Sequence, residues 1–124
     1  MKSLREARLV MAEIHMRDAS HAGLSDLTRA RTAFDAGYVW LLVALDEPSG
    51  GEHPTQDVLR AAVSRLQVPH RTIAPALAFL SQQFNPSGAK PMLAEMLEWA
   101  TKMKAVAASI SISTSSLPSV PASN

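Results

Sequence analysis

The chain contains no cysteine, so a disulfide framework, a thiolate metal site and a cysteine nucleophile are all excluded, and zinc fingers with them. Glycine is scarce, five residues in 124. No phosphate loop is built from it, because Gly50-Gly51 lack both a preceding strand and a following lysine and read as a turn. Neither sign of charge dominates: the formal net charge is +1, which names no partner. With 47% hydrophobic and 19% charged residues, the composition is that of a globular protein, neither a disordered chain nor one that coats nucleic acid. A secretory signal needs an uninterrupted apolar stretch, whereas the first 18 residues carry Arg5, Glu6, Arg8 and Glu13; the cytoplasm is the expected compartment. No hydrophobic run is long enough to cross a bilayer. The longest, residues 36–45, is about half the required length, and Asp35 and Asp46-Glu47 hold its ends in water.

A run of that kind must instead be covered by protein. Within residues 26–46, Phe34, Gly37, Tyr38, Leu41, Leu42 and Leu45 form one stripe, while Ala33, Ala36, Trp40 and Ala44 line the other side. A helix apolar on nearly every side is the centre of a bundle. Ser25 or Asp26 offers the side-chain oxygen that starts it, and Pro48 and two glycines follow its end.

Four further segments repeat apolar residues at helical spacing. Residues 2–19 place Leu4, Ala7, Met11 and Ile14 on one side, read as the side that packs. The third segment carries Val58, Leu59, Ala62, Val63 and Leu66, the fourth Ile73, Leu77, Leu80 and Phe84, and the fifth Met92, Met96, Trp99, Met103 and Val106. Pro54 and Pro91 are expected at first helical positions, where a missing N–H has no helical partner anyway. Pro69 pushes Val68 out of the α region, so a break is expected near Val68 and a new helix from about Thr72, with Pro75 in its first turn. The expectation is an all-α five-helix bundle over residues 1–107. Residues 108–124, rich in serine and proline and free of charge, read as a flexible, disordered tail, although Ser-Ile-Ser-Ile-Ser alternates as a strand on a partner's edge would.

Candidate chemistry is sparse. His15, His21, His53 and His70 are dispersed, and Asp18 with His21, the nearest approach to ligand spacing, stands at a helix end; no metal or cofactor is expected. No serine lies in a nucleophile elbow. Charge is segregated along the chain: residues 32–57 carry five acids and no lysine or arginine, whereas residues 58–90 carry Arg60, Arg65, Arg71 and Lys90 without an acid. Those four are the candidate nucleic-acid contacts. Without interleaved aromatics they are equally suited to pairing with the acidic stretch of the same molecule or a second copy.

The amphipathic first helix, the short loop SHAGLSD and the second helix RARTAFDAGYVWLLVAL, together about residues 3–46, resemble the HEPN superfamily, the higher eukaryote and prokaryote nucleotide-binding helical domains. In nuclease members an R-x(4-6)-H motif on a late helix meets its copy across a dimer cleft and cuts RNA through its own 2′-hydroxyl. The matching residues here are Arg65 and His70. Pro69 interrupts the helix that would hold both, and the pair stands at the third-to-fourth helix junction. The resemblance therefore implies a non-cleaving member, a small binding or accessory module that pairs as a homodimer and takes an RNA or protein partner. A degenerate nuclease, with His70 as general acid or base, is the alternative; a helical adaptor or chaperone-like interaction protein needs no resemblance at all. No membrane association is expected.

Overall fold

The structure, a computed structural model, describes residues 3–48, 54–81 and 93–116, the side chains of 111–116 excepted. Five helices follow one another: α1 (Leu4–Ala19), α2 (Asp26–Leu45), α3 (Gln56–Leu66), α4 (His70–Ser81) and α5 (Leu93–Ser116), with no strand among the described residues. Side-chain oxygens start three of them. Ser3 and Glu6 form a reciprocal capping box, Ser25 accepts from the Thr28 amide, and Thr55 accepts from the Val58 amide, each satisfying an amide that no helical carbonyl reaches. Pro54 therefore stands two residues ahead of α3, not at its first position, because Thr55 takes the capping place. α4 begins at His70, earlier than expected, since Pro69 serves as its entry: the Thr72 amide donates to the Pro69 carbonyl at 2.9 Å. Pro75 consequently lies inside the helix.

The bundle is organised around α2, which packs most extensively against α5 and α1 and less against α3; α3 meets α4, and α4 meets α5. Every residue from 36 to 45 is buried, so the apolar run is enclosed on all sides as its composition requires. Phe34 ties three helices together, stacked 5.9 Å from Tyr38, 5.1 Å from Phe79 and 5.6 Å from Trp99 between ring centroids. Gly37 lets the Trp99 ring lie on the α2 backbone: a Cβ there would stand 2.7 Å from Trp99 Cε3. Leu59 and Ala62 from α3, Ile73, Ala76 and Leu80 from α4, and Met96 and Met103 from α5 complete the core.

Two further expectations are corrected. The α1 stripe of Leu4, Ala7, Met11 and Ile14 is exposed; the helix instead buries Arg8, Ala12 and Ala19, with Leu9 and Met16 partly covered. The tail boundary at residue 107 falls inside α5, which continues through Ser116. The segment of alternating serine and isoleucine is helical, and residues 117–124, like Pro91, Met92 and Phe84, lie outside the described residues.

Candidate functional site

Helix ends leave carbonyls without helical partners, and in this fold arginines from neighbouring elements supply the donors. Arg8 is 4% exposed, and from α1 its Nη1 donates to the Glu47 carbonyl at 2.6 Å and its Nη2 to the Pro48 carbonyl at 3.1 Å. Arg65 approaches the same terminus from α3, with Nη2 donating to the Leu45 carbonyl at 3.0 Å and Nη1 to the Glu47 carboxylate at 3.1 Å. Arg29 donates through Nε to the Ala19 carbonyl at 2.8 Å, closing the end of α1. Cationic donors at a helix C-terminus are favoured by the dipole as well as by the hydrogen bonds.

The candidate pair Arg65 and His70 is thereby separated in role. Arg65 faces the end of α2, while His70 is the exposed first residue of α4. Between them Gln67 adopts φ 58° and ψ 30°, the left-handed conformation that terminates α3, so the two side chains share no continuous helical face. Arg60 and Arg65, five residues apart on α3, diverge by about 140° around the axis; Arg71 is exposed on α4, and Lys90 lies outside the described residues.

His21 serves its own turn, its Nδ1 accepting from the Gly23 amide at 3.1 Å. Among the described residues no group of three His, Asp or Glu side chains could hold a metal ion. One titratable cluster escaped the sequence reading: half-buried Asp35 on α2 lies within the fields of His15 on α1 and Arg31 one turn earlier. Burial pushes the Asp35 carboxyl above its ordinary 3.8, and the charges of His15 and Arg31 pull it partly back. A spacing of 20 residues between His15 and Asp35 gives no local motif; only the register of α1 on α2 brings them together.

An open apolar groove of about 320 Å³ lies beside the α3–α4 junction, lined by Leu66, Val68, Ala105, Val106, Ser109 and Ile110. It joins the end of α3 to the distal half of α5. Only Ser109 brings a polar side chain, so the groove suits an apolar surface better than a phosphate or a charged small molecule.

No family model, curated protein or solved structure matches the chain. No helix among the described residues is long and apolar enough to cross a membrane.

Proposed function

We propose that the chain is a small non-catalytic helical binding module, HEPN-like in its first two helices, which works in the cytoplasm by holding a protein partner. The observation that carries this reading is the engagement of Arg65. Its guanidinium makes two bonds to the end of α2, so a nuclease site built with His70 would have to break a helix terminus to recruit it. The groove of Leu66, Val68, Val106 and Ile110 supports binding as the alternative use of the same end of the bundle. Its apolar lining favours a protein segment over RNA, whose phosphates would need cationic side chains around it. An adaptor or chaperone-like role differs only in which partner fills the groove.

Three assays separate the readings. Wild type and His70→Ala are incubated with mixed RNA; the expected result is no cleavage by either, and cleavage lost in the variant would establish the nuclease instead. A gel shift at low and high salt is expected to show no retardation, whereas retardation that fades with salt would identify an RNA partner. Val106→Asp is expected to abolish capture of the protein partner while leaving helicity unchanged.

A further inference from the structure

The open groove beside the α3–α4 junction has α5 as one wall, and the chain that continues from α5 shares the chemistry of its lining. Leu66 and Val68 line it from the end of α3, Ala105, Val106, Ser109 and Ile110 from α5, and no charged side chain is among them. From Ala105 onward the sequence is likewise free of charge, and the residues that follow α5 directly are Leu117-Pro118-Ser119-Val120-Pro121. We propose that residues 117–121 occupy this groove in cis, as the resident ligand that a protein partner must displace, a role that rests on the groove being the binding site.

Position, reach and chemistry select this occupant. Position 117 comes seven residues after Ile110, about two turns on, so the register of α5 brings the chain out on the side of the helix that lines the groove. Pro118 disfavours the α region at Leu117 and has no N–H to give a helical carbonyl, which ends the helix there and allows a turn. Ser109 and Ile110 lie seven and six residues before Ser116, about 9–10 Å back along the axis. The four steps from Ser116 to Val120 span about 12 Å as polyproline II, so a chain that turns back sets Val120 level with both. Leu117 and Val120, three apart, repeat on one side of such a helix, and Pro118 and Pro121 on another. Both prolines fix φ beforehand, so little freedom is lost on seating. Tethered to the wall of the groove, the segment is present at an effective concentration on the order of millimolar, and weak contact suffices. The groove volume of about 320 Å³ is at the small end of ligand clefts, which suits a short extended segment better than a whole helix.

Disulfide trapping in the full chain tests the seat, against a background without native cysteine. Ser109→Cys with Val120→Cys is expected to close within the chain on the order of tenfold faster than Ala108→Cys with Val120→Cys, because a disulfide needs its two Cα atoms held close. Ala108 is exposed at nearly the same height on α5 but does not line the groove. Equal rates would mean that the segment samples the helix surface without a seat and overturn the proposal. Val120→Asp is expected to shift the methyl resonances of Val106 and Ile110 with unchanged far-ultraviolet circular dichroism; unmoved methyls overturn it as well. A fast cross-link in a chain that captures no protein would remove the partner and leave the seat, whereas equal cross-linking rates remove the seat and leave Val106→Asp to test the partner.

Discussion

α1 and α2 lie side by side in the same bundle and obey opposite rules. The second half of α2, residues 36–45, is apolar all round and enclosed all round. α1 is amphipathic, yet it turns its more apolar stripe outward and packs through Arg8, Ala12 and Ala19. The difference teaches that the face a helix buries is chosen by fit as well as by oiliness. Ala12 and Ala19, both fully buried, let α1 approach α2 closely, where Met11 or Ile14 would hold it off. Arg8, itself buried, brings two donors to the Glu47 and Pro48 carbonyls. Leaving a buried polar group unmet costs about 1–3 kcal/mol, comparable to the roughly 1.5–3 kcal/mol gained by burying one large aliphatic side chain. Close backbone packing and met carbonyls together outweigh what the outer stripe loses.

If that account is right, the largest effect belongs to the tightest point of α2. Gly37→Ala gains helix propensity of about 1 kcal/mol but drives its Cβ into the Trp99 ring, which is itself stacked on Phe34. The expected net loss is about 2–3 kcal/mol in urea denaturation, and an unchanged midpoint would show that Trp99 has room to move. Next comes the inner face of α1. Arg8→Met keeps the stem and removes the donors from the Glu47 and Pro48 carbonyls, with an expected loss of about 2 kcal/mol. Parity with wild type would mean that fit between α1 and α2 does not depend on this cap. Arg65→Ala acts on the same terminus from a side chain that is 55% exposed, and about 1 kcal/mol is expected in the same measurement.

These residues also show how far the sequence could be read. The enclosed second half of α2 was legible because ten apolar residues between acids leave no other solution, and the stripes of α3, α4 and α5 were legible because their large residues, where described, are buried or partly buried, although Phe79 was missed. α1 was misread where the two part company: Ala12 and Arg8 carry the packing, and neither stands out in a search for oily spacing. Arg65 and His70 stood out for the opposite reason, a motif spacing without the continuous helix that gives such spacing meaning. The partners of Arg65 are Leu45 and Glu47, and those of Asp35 include His15; separations of about 20 residues are set by how helices dock, which no local pattern encodes.

The smallest expected effect lies on the seam between the two helices and depends on pH. Asp35 is half-buried on α2, and desolvation raises its pKa above 3.8 against the opposing pull of His15 and Arg31. A carboxyl with a higher pKa folded than unfolded holds its proton more tightly in the fold, so its contribution to stability is full below the unfolded value and is lost as pH rises through the folded one. Asp35→Asn, which mimics the neutral form, is therefore expected to melt slightly above wild type at neutral pH and together with it once the pH falls below 3.8. Thermal melts across the acid range check the sign. A variant that melts below wild type at neutral pH would show that attraction to His15 and Arg31 exceeds the cost of burial, and that the α1–α2 seam is held by charge as well as by the fit of its alanines.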